Sequence, residues 1–350
     1  MPIEQTITGD KLNWTDGVHK WSLTGVSVEP GPVDPPPPPP VPTGTGIWLS
    51  AAEIQALPMI GAAWQATLSA ANQPPGTPDL SNQDSAVNVN VLAHALVFVR
   101  TGLDIHREAV LDAIRSLIGA TKFGRTLALG RELAAYVVAA DLVGLEAPMR
   151  AAFAGKLREI MSKSLDGMTL AQCHERRPNN WGTHAGASRA AVAAYLGDTT
   201  ELDRCAQVFE GWLGDRASYA SFKFGDLSWQ PDPENPVAVG LPGATGHGQS
   251  LDGALPEELR RANGYNNYVW GALSGAVAQA MFLHRAGYPA FDWMQKAILR
   301  AVKWPHDLGH SASGDDAWLI PVVNKVYGTN FPVAGTSPGK NMGWTQWTHQ

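Results

Sequence analysis

The sequence predicts an all-α fold that follows a short N-terminal arm and a proline-rich linker. From residue 47 onward, apolar residues recur at the spacing of amphipathic helices, and the breaks between them are rich in glycine and proline. Six consecutive prolines, Pro35–Pro40, separate this region from the polar first 29 residues. The chain has 350 residues, of which 44% are hydrophobic. These values indicate a globular protein with either one large domain and a small module or two domains.

The N-terminal arm, residues 1–29, alternates polar and apolar residues, which predicts a few short strands or an extended segment. It has no basic stretch followed by an apolar one, so we expect no secretory signal. Residues 30–46 form the linker, because a proline run adopts the stiff polyproline II conformation. We expect residues 47–350 to form a single helical domain.

The helices follow in order. The first starts at a capping box, in which Ser50 precedes Glu53 by three residues. An irregular segment from residue 215 to 261 is too long for a plain connection, and such segments are typically functional. The last 20 residues have the composition of a loop. Helices are predicted at Leu49–Ala71, Asn82–Arg100, Ile105–Ile118, Thr126–Leu145, Pro148–Ser164, Asn180–Leu196, Thr200–Gly214, Asn266–Ala286, Phe291–Trp304 and Asp315–Tyr327.

Consecutive helical hairpins of this length close into a bundle, a solenoid or an α/α toroid. The sequence contains no fixed repeat of the kind that builds solenoids, which disfavours a simple solenoid.

Composition excludes several classes of protein. The chain has 26 Lys and Arg against 32 Asp and Glu, so its net charge of -6 disfavours a nucleic-acid partner. No stretch of apolar residues is long enough for membrane insertion. Cys173 and Cys205 lack the spacing of a metal site, and they either form one bridge or stay free. The 13 tryptophans suit a hydrophobic core and also suit stacking on sugar rings.

One group of candidate site residues lies in the segment Arg176–His184, just before a helix of small residues. Asn179 or Asn180 is expected to cap this helix, which accounts for one asparagine and not for two. His184 follows Asn180 by one helical turn and lies on the same face.

A second group lies in the segment Asp252–Trp270. Its charged residues suit a solvated turn, but Tyr265 and Tyr268 are three residues apart and share a helix face. Arg261 precedes Tyr268 by about two turns. A tyrosine beside an arginine is a candidate base, because the positive charge favours the phenolate.

Together these segments resemble the alginate lyases that have an α/α-toroid fold, the fifth polysaccharide lyase family and its relatives. The run Asp252–Trp270 is similar to that family's Asp-Gly-x-Leu-Pro-x-Glu-Leu-x-Arg, followed seven residues later by Tyr. In the family this Arg and this Tyr are catalytic, and they match Arg261 and Tyr268. The family's Asn-Asn-His run matches Asn179-Asn180-Trp181, so that Asn180 corresponds and Trp181 stands in place of the His.

The resemblance covers residues 47 to about 330 and implies an α/α toroid, an incomplete barrel of helical hairpins. It also implies a polysaccharide lyase that cleaves a uronic-acid polymer by β-elimination without a metal or other cofactor. Asn180 and His184, assisted by Arg261, are expected to neutralise the uronate carboxylate. Tyr268 is expected to be base and acid, with Tyr265 as the alternative base. Further residues expected to bind the sugar chain are Arg131, Arg177, Asn179, Trp181, Trp229, Arg260 and Trp270.

Three alternatives stay open. An inverting glycoside hydrolase needs two carboxylates about 6.5–9.5 Å apart, and a metal site needs ligands such as His306 and His310. A non-catalytic, glycan-binding virion protein would use the arm and spacer for attachment. The candidate carboxylates for a hydrolase are Asp226, Asp252, Glu258, Asp315 and Asp316.

The arm, the spacer and the absence of a secretory signal also suggest where the protein acts. A chain of this kind that degrades an external polysaccharide needs a route outside the cell. We expect the arm to dock on a larger assembly such as a phage particle, as in a phage depolymerase, with an anionic polysaccharide as the substrate.

Overall fold

The computed structural model describes residues 4–8, 11–15, 20–24, 45–261, 264–333, 335 and 337–350. The chain divides into two compact units, Met1–Val41 and Pro42–Gln350. The first contains an antiparallel meander of β1 (Glu4–Thr8), β2 (Lys11–Thr15) and β3 (Lys20–Thr24), in which Trp14 pairs with Trp21. Short strands therefore form in the arm. The proline-rich linker lies, up to residue 44, outside the described residues.

The second unit is helical, which confirms the all-α class. Its only strands among the described residues are the two-residue β4 (Thr245–Gly246) and β5 (Gln249–Ser250), which form a small hairpin in the irregular segment. The helices are α1 (Ala51–Gln55), α2 (Ala62–Ala71), α3 (Val87–Thr101), α4 (Asp104–Ile118), α5 (Thr126–Val143), α6 (Ala147–Ser162), α7 (Leu170–Arg176), α8 (Asn180–Leu196), α9 (Thr199–Trp212), α10 (Pro256–Leu259), α11 (Val269–Arg285), α12 (Trp293–Asp307), α13 (Leu319–Tyr327) and α14 (Thr345–Thr348).

Four helices, α3, α5, α8 and α11, form the inner layer of the domain. They are buried over most of their surface and pack on one another in chain order. Glycines permit the close contacts: a Cβ on Gly130 would lie 2.9 Å from the Ala185 nitrogen, and one on Gly275 would lie 2.5 Å from the His184 nitrogen. A side chain at either position would push two inner helices apart.

The outer helices cover this layer with one apolar face each. Helix α4 packs on α3 and α5, α9 packs on α8, and α12 packs on α11. Helix α9, for example, buries Leu202, Cys205 and Phe209 at steps of three and four residues, while the remainder of its surface is polar.

The predicted helix Leu49–Ala71 is in fact two helices, α1 and α2. Pro58 lies between them, and a proline disfavours helical backbone at the residue before it. Gly61 then caps α2 with φ of 90°, a conformation that glycine tolerates. The predicted capping box does form, because the Ser50 side chain accepts from the Glu53 nitrogen and Glu53 accepts from the Ser50 nitrogen.

The irregular segment ends in the four-residue helix α10 and in a π-helical turn, Gly264–Tyr268, that leads into α11. Single π-turns of this kind occur frequently at functional sites. Within the described part of the chain, no helix is long and apolar enough to cross a membrane.

Candidate functional site

A polar cavity of about 620 Å³ opens at one end of the inner layer. Its lining comes from the starts of α5 and α8, from the segments that lead into α3 and α11, and from further loops. The lining residues are Gln83, Asp84, Arg125, Leu127, Arg131, Asn180, Trp181, Arg261, Asn267, Tyr268, Ser313, Asp315, Asp316 and Lys340. Five of the residues predicted from the sequence are therefore in one place: Arg131, Asn180, Trp181, Arg261 and Tyr268.

The start of α8 places Asn180 at the cavity. Asn179 is the helix cap, and its side chain accepts a hydrogen bond of 3.1 Å from the Trp181 nitrogen. The side chain of Asn179 is therefore engaged in capping the helix. Asn180, the next residue, is the asparagine that lines the cavity. Two adjacent asparagines thus have two separate tasks.

Glu258, on the short helix α10, holds the two catalytic candidates Asn180 and Arg261 together. It is 1% exposed and accepts from the Asn180 backbone nitrogen at 2.5 Å and from Arg261 Nη1 at 2.7 Å. Arg261 Nη1 also donates to Asn180 Oδ1 at 3.0 Å. Because Oδ1 accepts from Arg261, the Nδ2 group of Asn180 stays available as a donor.

Burial raises the pKa of Glu258 to about 7, while Arg261 and the Asn180 nitrogen act in the opposite direction. Its two charge-assisted hydrogen bonds are those of the ionised form. The strength of the ion pair between Glu258 and Arg261 therefore depends on pH near neutrality.

Tyr268 lies where the π-helical turn meets α11. The guanidinium carbon of Arg261 lies 3.6 Å from the centre of the Tyr268 ring. This stacking fixes the ring against a positive charge. Asn180, Arg261 and Tyr268 thus form one contact group on the cavity wall, although 81 residues separate the first two.

Alternating charges form another part of the cavity lining. Lys340 Nζ donates to Asp84 Oδ1 at 2.6 Å, and Arg131 Nη1 lies 3.7 Å from the same atom. Burial raises the pKa of Asp316 to about 6, and the positive charge of Arg131 opposes that effect. Asp315 is exposed and lies 3.9 Å from Lys340. The cations in this part of the lining, Arg131 and Lys340, therefore each have a carboxylate nearby.

His184 lies beneath the cavity and does not line it. It is 2% exposed, and neither ring nitrogen has a hydrogen-bond partner among the described residues. Burial, together with the charges of Arg131 and Lys340, lowers the pKa of His184 well below its usual value, and the nearby Gly271 carbonyl opposes this only weakly. His184 does lie on the same face of α8 as Asn180. Because α8 is an inner helix that starts at the cavity, a residue one turn further along the helix lies one turn deeper in the core. His184 is therefore enclosed in the core and does not contact the space of this cavity.

Trp181 also differs from its expected role as a sugar platform. The guanidinium carbons of Arg125 and Arg177 lie 4.6 Å and 4.7 Å from the centre of its ring. The aromatic face is thus taken up by two cations of the protein itself.

Four other predicted residues lie outside the cavity lining. Trp270 is 1% exposed and donates to the His310 carbonyl, so it is a core residue and cannot stack on a sugar. Arg260 pairs with Glu257 instead of facing the cavity. Tyr265 stacks on Trp304, and Trp229 meets the edge of Tyr265. Trp229 and Tyr265 form a separate aromatic row.

The candidate metal ligands are engaged elsewhere. The His306 ring stacks on Phe331 at 4.8 Å between centres and meets Trp270 edge-on, and burial lowers its pKa. Within the described ranges, no three His, Cys, Asp or Glu residues group in a way that could hold a metal ion.

Sequence reasoning missed several residues of the cavity: Gln83, Asp84, Arg125, Asn267 and Lys340. Asn267 lies within the segment Asp252–Trp270 and directly precedes Tyr268, which is the local signal for it. The others come from segments without any local motif. Only the packing of the inner helices brings them to the site.

The sequence matches no protein-family model, and no curated protein shows significant similarity to it. The resemblance to alginate lyases therefore depends on the two short sequence segments alone.

Proposed function

We propose that this protein is a polysaccharide lyase that cleaves a uronic-acid-containing polymer by β-elimination. The observation that carries the proposal is the contact group of Asn180, Arg261 and Tyr268 on one wall of a polar cavity. A β-eliminating lyase needs a donor pair for the uronate carboxylate and a base beside it, and these three residues supply both.

The first step is binding of the carboxylate. The Asn180 Nδ2 group and the other N–H groups of Arg261 donate to the uronate carboxylate and reduce its negative charge. The C5 proton then becomes more acidic, because the donors stabilise the charge that moves onto the carboxylate as the proton leaves. Glu258 holds both donors in place through its own two hydrogen bonds.

The second step is proton transfer. Tyr268, as phenolate, takes the C5 proton, and the electron pair forms the C4–C5 double bond while the C4–O4 bond breaks. The same hydroxyl then delivers a proton to the leaving O4. Stacking of Arg261 on the ring holds Tyr268 beside the carboxylate-binding donors, within reach of the C5 proton.

The substrate class follows from the charges at the cavity. Four cations, Arg125, Arg131, Arg261 and Lys340, and three carboxylates, Asp84, Asp315 and Asp316, line it, which leaves a small positive excess in a protein whose net charge is -6. The N-terminal ends of the inner helices add their partial positive charge. An anionic polysaccharide, alginate-like or glucuronan-like, is the substrate that this local field favours.

The same arrangement supports an α/α toroid as the finer description of the fold. The starts of α3, α5, α8 and α11 all contribute to one cavity, so these inner helices run parallel. Outer helices that return between them, as α4 and α9 do, are what an incomplete toroid of hairpins requires.

The test is the ultraviolet absorbance of the unsaturated product, followed while the purified protein is mixed in turn with alginate, glucuronan, pectate and hyaluronan. We expect a rise with at least one polymer and its loss in Tyr268→Phe. Tyr265→Phe is the matched control, because it removes the same hydroxyl from a neighbour outside the cavity lining, and it should retain activity. Equal activity in both variants would refute the assignment of Tyr268.

An inverting glycoside hydrolase is the second candidate, and Asp316 is the observation that favours it. Its raised pKa suits a general acid, and Asp84 and Asp315 line the same cavity. Of the other candidate carboxylates, Asp252 pairs with Arg300 and Glu258 pairs with Arg261, while Asp226 is exposed on the surface. New reducing ends without ultraviolet absorbance, lost in Asp316→Asn, would establish the hydrolase.

We also propose that the N-terminal meander attaches the helical unit to a larger assembly such as a phage particle. The meander forms a compact unit of its own, Met1–Val41, which supports a separate task. A chain that begins at Pro42 should retain cleavage and lose association with purified particles. Binding to a polymer without any cleavage would instead support a non-catalytic, glycan-binding virion protein.

A further inference from the structure

Arg125, Trp181 and Arg177 form a cationic stack at the cavity mouth. Arg125 is the cap of α5, Arg177 follows the end of α7, and Trp181 opens α8. Three separate segments thus converge, and both guanidinium groups lie over the indole ring, at 4.6 Å and 4.7 Å from its centre. Arg125 and Trp181 line the cavity itself.

We propose that this stack is a carboxylate-binding subsite, which binds a uronate next to the one held by Asn180 and Arg261. The inference rests on the proposed function, since it assigns the neighbouring sugar of the same substrate. It also gives Trp181 a different role: the indole positions two arginines and does not itself carry a sugar ring.

The distribution of charges supports this assignment. Lys340 and Arg131 lie beside Asp84, and Arg261 is bound by Glu258. Among the described residues, by contrast, Arg177 has no carboxylate within 4.0 Å, and Arg125 has only Asp166, at 3.9 Å. The positive charge still available to a polyanion is therefore concentrated at the stack.

The stacked geometry also prepares the guanidinium groups for binding. A guanidinium that lies over an aromatic ring keeps its N–H donors at its edge, where they can pair with a carboxylate in bidentate fashion. The ring restricts the motion of the long side chains, so less conformational freedom is lost when the substrate binds. Arg125 remains 57% exposed, which leaves its edge accessible to the solvent and to a polymer.

The test measures binding and cleavage separately. Binding is followed by native electrophoresis in gels that contain alginate, glucuronan, pectate or hyaluronan, with all variants made in the Tyr268→Phe chain. The test variant is Arg125→Gln/Arg177→Gln. The control is Arg115→Gln/Arg158→Gln, which removes the same two charges from helices α4 and α6, outside the cavity lining.

We expect a polymer to retard the parent and the control, and to retard the test variant much less. With Tyr268 intact, the test variant should show a KM raised roughly tenfold at nearly unchanged kcat, as two partly exposed charge pairs predict. The difference should shrink at high salt.

Three outcomes are informative. If the test variant and the control show equal retardation and equal KM, the subsite assignment is refuted, while the proposed lyase activity is unaffected. Failure of all four polymers to retard the parent chain would also overturn it. Retardation that depends on Arg125 and Arg177, without cleavage by the chain that has Tyr268, would support the subsite and refute the proposed function.

Discussion

Replacing Glu258 by glutamine should lower activity without lowering stability above neutral pH. The glutamine side chain has one acceptor oxygen, whereas Glu258 accepts from both Arg261 and the Asn180 nitrogen. One donor therefore loses its partner, and Arg261 is no longer held beside Asn180 and Tyr268. A lost transition-state donor costs about 10²–10³ in kcat. A loosened donor should cost less, so we expect a fall of roughly 10–100-fold.

The stability of the same variant follows from the pKa of Glu258. Burial raises this pKa from 4.5 to about 7, so over this interval unfolding releases a proton. The contribution of protonated Glu258 to stability is complete below about pH 4.5 and is lost as the pH rises through about 7. The shift corresponds to roughly 3 kcal/mol in the free energy of unfolding. Glu258→Gln removes this loss and should be at least as stable as the parent chain at about pH 8.

Glu257→Gln is the matched control for this experiment. Glu257 is 3% exposed and pairs with Arg260 and the Gly225 nitrogen, outside the cavity lining. Loss of this buried pair should lower stability by about 1–3 kcal/mol and leave kcat unchanged. The two neighbouring variants should thus show opposite patterns.

Kinetics across pH and thermal unfolding together provide the assay. In the parent chain kcat/KM should rise through about pH 7, because ionised Glu258 holds Arg261 most firmly, and this inflection should disappear in Glu258→Gln. Equal kcat in the two variants, or an unchanged inflection in Glu258→Gln, would show that Glu258 does not position Arg261.

Three further outcomes are expected. Glu132 is fully buried, and neither of its carboxyl oxygens has a hydrogen-bond partner among the described residues. Burial raises its pKa to about 9, so the contribution of protonated Glu132 to stability is lost progressively as the pH rises above 4.5. Glu132→Gln should therefore raise the free energy of unfolding at pH 7 by roughly 3 kcal/mol, measured in urea, and leave it unchanged near pH 4. Cys173 and Cys205 are free and buried, and burial raises the pKa of each thiol to about 12, so a thiol reagent should label neither until the chain is unfolded; labelling of the native protein would contradict this. A Cβ on Gly182 would lie 1.8 Å from the Arg177 carbonyl oxygen, so Gly182→Ala should displace the start of α8 and reduce both the melting temperature and kcat.

The sequence alone was sufficient for the parts of the site that lie in local motifs. Arg261 and Tyr268 are seven residues apart, and Asn180 stands at a predicted helix start, so local spacing marks all three as candidates, and their proposed catalytic roles come from the resemblance. Their contact depends on α8, α10 and α11 packing together, and no local pattern contains that information. The resemblance led us to expect that these residues lie together. In the structure, Arg261 and Asn180 form a hydrogen bond of 3.0 Å.

Burial is what the sequence could not show. His184 and Trp270 have the residue types of a sugar-cleaving site, yet each is 2% exposed or less. Helices α8 and α11 are inner helices with apolar and small residues on every side, so their sequences do not mark which polar residue faces a cavity and which faces the core. Glu258 is another example, since it lies in a charged run that suits a solvated turn and is nevertheless almost completely buried.

The cavity owes its position to the direction of the inner helices. Gln83 and Asp84 precede α3, Arg125 precedes α5, Asn180 opens α8, and Tyr268 precedes α11. Each inner helix thus presents its start, the end with unpaired N–H groups and partial positive charge, to the same space. Short segments at these starts can change without disturbing the buried helices behind them. This explains why the residues that line the cavity are scattered along the chain.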